Sequence, residues 1–280
     1  MAASPFHIAI LLIVLAGAPE AFAEWQVSAS AVNRDAESGY RETRLTLKRL
    51  SGNHRTGHWL ASHNYRIFQL PEVDGRAPAT NGHVHTLAMG WQRGFGPWQL
   101  ELAPVLAVSS NVLRNLDTLT ARDWRIHGAV VRTYEYGDRG MGYLGIRADS
   151  RLGDYLPYPT IQWQRAPGEH LQLALGVPDS VAEWHWHTRS LVRLRLGPDG
   201  GNWRVRDQEL EHAGRLEQRR WHTSLTLEWQ VLKQLRVSLG GSYYFQERWR
   251  YRLSDGRTVR QDPADHGALW LGLTVRPQQD

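Results

Sequence analysis

The chain has no cysteine. That removes a disulfide framework, a thiolate metal site and a cysteine nucleophile together. Lysine is nearly absent as well. Of 33 basic residues only Lys48 and Lys233 are lysines, which leaves 31 arginines. After the first few residues there is no long apolar run, and nothing approaches the roughly 18 uncharged residues of a membrane-spanning helix. The mean hydropathy of −0.49 looks soluble, but a membrane barrel also averages out polar, because only alternate strand residues meet lipid. A basic tail or basic helix is also missing. The arginines are spread along the whole chain, which argues against a nucleic-acid partner. Arginine suits bidentate contact with phosphate, so for an exported chain the expected anions are those of outer-membrane lipids and lipopolysaccharide.

The start of the chain supports export. An apolar run from Ile8 to Ala18 is followed by Pro19 and the small-x-small triplet Ala21-Phe22-Ala23. This reads as a signal peptide over 1–23, cleaved before Glu24, although Met1–His7 carries no Lys or Arg. The run is too short to span a bilayer as a helix. No linker, composition shift or low-complexity segment divides residues 24–280, so they are read as one domain.

The clearest pattern lies at Arg219–Val231. Trp221, Thr223, Leu225, Leu227, Trp229 and Val231 hold one parity, and His222, Ser224, Thr226, Glu228 and Gln230 the other. Side chains alternate between the faces of a strand, and about 9–11 tilted residues cross a bilayer as β-structure. The same design recurs from Trp25 to Val275. It predicts an all-β fold, a transmembrane antiparallel up-and-down barrel of about 14 strands (12–16). In that count Ala182–Leu196 is one strand, Asn202 to about Gln208 is a wall strand, and Glu247–Asp265 is a long polar connection. Compact turns mostly follow even strands and longer connections odd ones, as periplasmic turns and extracellular loops do.

The 13 tryptophans fit that reading. Trp59, Trp91, Trp98, Trp203 and Trp229 fall beside the compact turns, and Trp124, Trp221 and Trp249 at the opposite ends. Tryptophan favours the membrane–water boundary, so two girdles are expected. Arg132 falls on the lipid parity, where a mid-membrane arginine costs roughly 2–4 kcal/mol; it therefore requires an interfacial depth or a bulge. The chain ends on Arg276–Asp280, with no terminal aromatic.

The segment Leu156-Pro157-Tyr158-Pro159-Thr160-Ile161-Gln162-Trp163, followed by Leu173-Ala174-Leu175-Gly176-Val177-Pro178, resembles a family of outer-membrane β-barrel proteins of unknown function. Members share a Leu-Pro strand, a short turn and a second strand closing on Gly-x-Pro. The likeness covers the central third of the chain. It implies an outer-membrane location and carries over no functional residues.

Three sets of residues bear on chemistry. His222 and Ser224 share one face of a strand, but a serine hydrolase needs a base that a third group orients, and the next strand offers Arg236 and Ser238. A hydrogen-bonded pair in the lumen is the simpler reading, and no catalytic residues are assigned. His185 and His187 form half of a metal site at most, on a face shared with Glu183 and Arg189. His83 and His85 lie on the lipid parity with Leu87, Met89 and Trp91, so the two histidine pairs face opposite sides of the wall. No metal and no cofactor are expected. Finally, Arg125, Arg147, Arg189, Arg193, Arg195, Arg204, Arg206, Glu101, Glu135 and Glu183 have lumen parity and are the pore-lining candidates, because charged rings set pore selectivity. The expectation is a monomeric outer-membrane protein of a Gram-negative cell, inserted by the barrel assembly machinery, forming a small channel for polar or anionic solutes. The alternatives are a lipid-modifying enzyme of the same membrane and a soluble periplasmic or secreted β-sandwich.

Overall fold

The computed structural model describes residues 24–33, 41–53, 57–69, 82–137, 140–206, 213–252, 256 and 258–275. The signal peptide expected at 1–23 lies outside them, as does the terminal segment 276–280. The described strands are β1 (Glu24–Asn33), β2 (Arg41–Asn53), β3 (Gly57–Gln69), β4 (His83–Phe95), β5 (Trp98–Ser109), β6 (Trp124–Tyr136), β7 (Gly140–Asp149) and β8 (Leu156–Arg165). They continue with β9 (Leu171–Val177), β10 (Ser180–His187), β11 (Ser190–Pro198), β12 (Gly201–Arg206), β13 (Ala213–Gln230), β14 (Leu235–Arg252), β15 (Thr258–Gln261) and β16 (His266–Val275).

Strands β1 to β11 pair antiparallel in chain order. β11 then pairs with β13, β13 with β14, β14 with β16, and β16 with β1. That closes a ring of fourteen strands with no free edge. Tight connections gather at one end: Gly96-Pro97 between β4 and β5, and 231–234 between β13 and β14. The 110–123 and 150–155 loops mark the other. The first is called the turn end and the second the loop end.

The facing of side chains shows what surrounds the wall. On β16, Leu269 is 73% exposed while Ala268 is 7% exposed, and Leu271 and Leu273 repeat the outward exposure. Ile126, Leu144, Ile146, Ile161, Leu225, Leu227 and Leu239 do the same around the ring. An open apolar belt of this extent is foreign to a water-soluble surface, and a closed barrel satisfies its backbone groups without solvent. The protein is a transmembrane β-barrel. A soluble sandwich would have buried these leucines between two sheets.

The count of fourteen was right for reasons that partly cancel. The segment read as one strand, Ala182–Leu196, is two: β10 and β11 meet at the two-residue turn Thr188-Arg189, beside a register shift between Trp184 and His187. The segment read as a wall strand near Asn202 is β12, which leaves the wall. The segment read as a polar connection, Glu247–Asp265, contains the far end of β14 and all of β15. Alternation marks a two-faced strand; it does not say whether the second face meets lipid or protein.

β12 sets the shape of the loop end. β13 and β14 each run for 18 residues, well past the β11–β13 pairing, which ends at Pro198 opposite Trp221. There β12 takes over the edge of β13, from Gly201 opposite Gln218 to Arg206 opposite Ala213. Its other edge pairs in parallel with β5 at Arg204 opposite Val108. β6 to β11 therefore end below a narrower closure that runs through β12. The bend in β14 falls where Gln246 has φ 52, beside the register shift in β13 between Arg219 and Trp221. The inner faces of this extension, Trp203, Val205, Leu216, Trp249 and Tyr251, pack on Val84, Val105 and Ala107 of β4 and β5. Gly201 leaves room for the indole of Trp203, because a Cβ there would sit 2.2 Å from the ring.

Two tryptophans expected in the girdles are thus inside the barrel. Trp203 and Trp249 stack at 6.5 Å, each 2% exposed. Trp59, Trp98 and Trp229 near the turn end, and Trp124 near the loop end, are exposed as expected. Arg132 sits opposite Trp98 at the turn end, with its guanidinium over the Trp98 and Tyr134 rings at 5.7 and 5.0 Å. That is interfacial depth, where the cation–π contacts offset part of its desolvation. Pro157 and Pro159 lie beyond Ile161 opposite Val177, the last β8–β9 pair toward the loop end. Their missing N–H groups therefore cost no ladder bond on that side.

Candidate functional site: the lumen

The inward parity builds the lumen in layers. Toward the turn end, Arg193 of β11 bonds Glu183 at 2.6 Å and also Glu228. Arg236 of β14 holds the other oxygen of Glu228 at 3.1 Å. Arg147 of β7 grips Glu101 of β5 through both guanidinium nitrogens, at 3.1 and 2.8 Å. These are ties between strands along the wall. They hold the charges flat and neutralise them pairwise.

The indole of Trp270 also turns inward. It lies over Gly240, where a Cβ would meet the ring at 2.4–2.5 Å. Lys48 of β2 shares the inward parity, surrounded by the barrel yet open to solvent, and lies within electrostatic reach of Arg195 and Arg44. Arg195 stands on β11, five strands round the ring from β2. The lysine head group therefore borders open space on the enclosed side of the wall at this height.

Nearer the loop end, the connections bring carboxylates to the interior arginines. Asp179, in the β9–β10 connection, receives Arg195 at 2.8 Å and Arg151 at 2.5 Å. Burial acts to raise the Asp179 carboxyl, but Arg195 and Arg151 outweigh it and hold the carboxyl below its ordinary value. Arg151 shows the reverse balance. Burial alone would lower it, and Asp149, Asp179 and Tyr158 raise it instead.

Asp199, in the β11–β12 connection, is held more tightly. Arg44 reaches it at 2.6 Å, Arg220 at 2.6 Å and Arg66 at 3.2 Å. Burial opposes ionisation here too; Arg44, Arg220 and Arg66 overcome it and keep the carboxyl well below its ordinary value. Arg220 also lies over the Tyr244 ring at 3.9 Å and reaches Glu247 at 3.5 Å. Gln218 joins the two sides, accepting from Arg66 at 2.9 Å and donating to Glu247 at 2.7 Å. One carboxylate therefore ties the root of β12 to the inner face of β2 and β3. Beyond it, the indole N–H of Trp203 donates to Thr86 at 2.9 Å, and the Arg66 guanidinium covers the same indole at 5.3 Å.

The pore-lining candidates separate by location. Arg147 with Glu101 and Arg193 with Glu183 form the wall pairs above, and Arg195 is held by Asp179 of the β9–β10 connection. Arg125 faces inward on β6, stacked at 5.5 Å on Tyr155. Arg204 and Arg206 stand on β12. Arg204 bonds Asp123, and also Thr120 at 3.1 Å; Arg206 donates to the Thr118 carbonyl at 3.3 Å. Arg189 and Glu135 are exposed at the turn end. Arg44 shares the lumen parity of those residues; Asp199, Arg66 and Arg220, which cluster with it, were not among the candidates. Arg220 continues the inward parity of His222 and Ser224, but the polar start of its strand drew no attention, and Asp199 looked like an ordinary turn residue.

His222 tilts against Tyr244 at 5.9 Å, and its Nδ1 has no hydrogen-bond partner among the described residues. No hydrogen bond joins it to Ser224 among the described residues. His185 and His187 alternate with the outward Trp184 and Trp186, and among the described residues no group of three or more His, Cys, Asp or Glu side chains is placed to hold a metal ion.

No protein-family model matches the chain, and no curated protein does. Solved structures with a similar overall course include the NanC porin, at 11% identity, TM-score 0.42, covering 90% of this chain and 98% of that one. The KdgM porin in complex with disordered oligogalacturonate matches at 7% identity and TM-score 0.39, covering 92% and 99%. An outer-membrane channel from Pseudomonas putida F1 matches at 8% identity and TM-score 0.43, covering 93% and 97%. The barrel assignment rests on the strand pairing and outward leucines of this chain, not on those likenesses.

Proposed function

We propose that the protein is a narrow outer-membrane channel for small polar and anionic solutes, exported by its signal peptide and inserted as a monomer with the loop end facing out. Both ends of the barrel chain, β1 and β16, then begin and finish at the periplasmic turns, as in outer-membrane barrels. The observation that carries the reading is Lys48, exposed inside a closed wall and set near Arg195 and Arg44. A lysine on the inner face of the wall, beside arginines whose charges are met by Asp179 and Asp199, favours anions in transit. The inward sheet through β12 makes the external mouth the tight part of the path.

Charge selectivity in a planar bilayer tests this. Under a salt gradient the purified barrel should give a reversal potential of the sign for anions, and Lys48→Glu should move it toward cations. A folded, inserted barrel that passes no ions would sink the channel reading and leave a plugged scaffold, which the packed sheet at the mouth would then explain.

A further inference from the structure

We propose that Ser110, His85 and His63 form a serine-nucleophile site on the outward face of the barrel, taking acyl esters of lipids at the outer bilayer boundary. The Ser110 hydroxyl lies 2.9 Å from His85 Nε2, and His85 Nδ1 lies 3.0 Å from His63 Nε2. The order nucleophile, base, orienting group is that required to activate a serine. In the tautomer with the proton on Nδ1, His85 donates to His63 and turns Nε2 to the serine hydroxyl as acceptor.

The setting is specific. His85 shares its parity with Met89, 59% exposed on the lipid side. His63 and Tyr65 stand on the same outward face of β3, with Tyr65 opposite His85. The Tyr65 ring stacks on His85 at 4.7 Å and its hydroxyl bonds His83, which fixes the ring that lies against the base. A short helix, α1 (Ser110–Arg114), follows β5 and presses Val112 and Leu113 onto Leu106 and Val108. Those residues belong to the outward parity of β5, as does the exposed Leu102. The helix thus lies on the outer wall at the loop end and holds Ser110 over His85. The base is 3% exposed, shielded from bulk water, while Ser110 is partly open. A polar relay beside an apolar wall and above a bilayer matches a substrate with a carbonyl at the interface and acyl chains below it.

The reaction balances without an added redox partner. Ser110 Oγ forms a bond to the ester carbonyl carbon as its proton passes to His85 Nε2. The carbon–oxygen bond to the alcohol breaks, and the alcohol leaves with that proton. Water then gives its proton to His85, attacks the acyl-serine and releases the carboxylic acid, returning the proton to Ser110.

The test uses the full chain, folded in detergent and in phospholipid vesicles. A fluorophosphonate probe should add covalently to Ser110, located by mass spectrometry, and phospholipid in the vesicles should lose fatty acid. Ser110→Ala should abolish both while the unboiled gel mobility and the conductance stay unchanged. His63→Phe should slow labelling and hydrolysis by about 10²–10⁴-fold and alter the pH profile, a change that a loop anchor alone would not produce. Hydrolysis of a short soluble ester with no release from vesicles would overturn the lipid assignment. A folded protein with no adduct at Ser110 would overturn the site and leave His85 as an anchor for the 110–123 loop. Either result is independent of the channel measurements.

Discussion

The lumen is built in two ways. Its turn-end part is polar, with arginine–carboxylate pairs lying along the wall and the exposed Lys48 among them. Its loop-end part is a packed apolar core, with Trp203, Trp249, Leu216 and Val205 filling the space against Val84, Val105 and Ala107. Both parts come from strands with the same period of two. The difference is what the inward face meets. A charged inward face leaves the centre to water. An apolar one can be satisfied only by a second layer, which here comes from the chain folding β12 across the mouth. The ring is thus lined by charge at one end and packed as a sandwich at the other.

Breaking the junction between the two should have the largest effect. Asp199→Asn would leave Arg44, Arg66 and Arg220 without their shared carboxylate, and breaking a buried ion cluster costs about 3–5 kcal/mol. A lower temperature for loss of the unboiled gel band, together with higher conductance, would show it. The pH dependence has a definite sign. Because the Asp199 carboxyl is held well below its ordinary 3.8, its stabilising contribution is complete above that value and is lost as pH falls through the folded one. The packing at the mouth should therefore hold through mild acid and loosen only in strong acid.

Trp203→Ala attacks the packed side alone. Removing a buried tryptophan costs about 3–5 kcal/mol, and the cavity should raise conductance with no change in charge selectivity. Leu225→Arg, on the outward belt, should cost about 2–4 kcal/mol at mid-membrane depth, measured by urea unfolding in vesicles, and should leave conductance alone. Lys48→Glu should have the smallest effect on stability, within about 0.5 kcal/mol for an exposed site, and the clearest effect on selectivity.

Much of the wall was legible in sequence because lipid leaves a plain mark. Leu225, Leu227 and Trp229 alternate with Thr226 and Glu228, and the structure turns the two sets opposite ways. Arg132 was flagged as misplaced, and its seat between Trp98 and Tyr134 at the turn end explains it. The inward sheet was not legible. Asn202–Arg206 carries the same alternation as a wall strand, and only pairing partners, β13 on one side and β5 on the other, reveal that it crosses the mouth. The two-residue turn at Thr188-Arg189 has no glycine or proline to mark it, so β10 and β11 merged. Ser110, 25 positions from His85 and 47 from His63, formed no local motif; the helix after β5 brings them together.

The crossing of β12 to β5 is the central claim, and the absence of cysteine makes it directly testable. Arg204 and Val108 are paired residues on neighbouring strands, at a separation a disulfide can span. In the double variant Arg204→Cys, Val108→Cys, mild oxidation of the folded barrel should produce an intramolecular crosslink, seen as a faster-migrating band on a non-reducing gel that reduction reverses, with lower conductance while it is closed. Two free thiols after oxidation of the folded, membrane-inserted protein would contradict the account, because β12 would then not close the mouth.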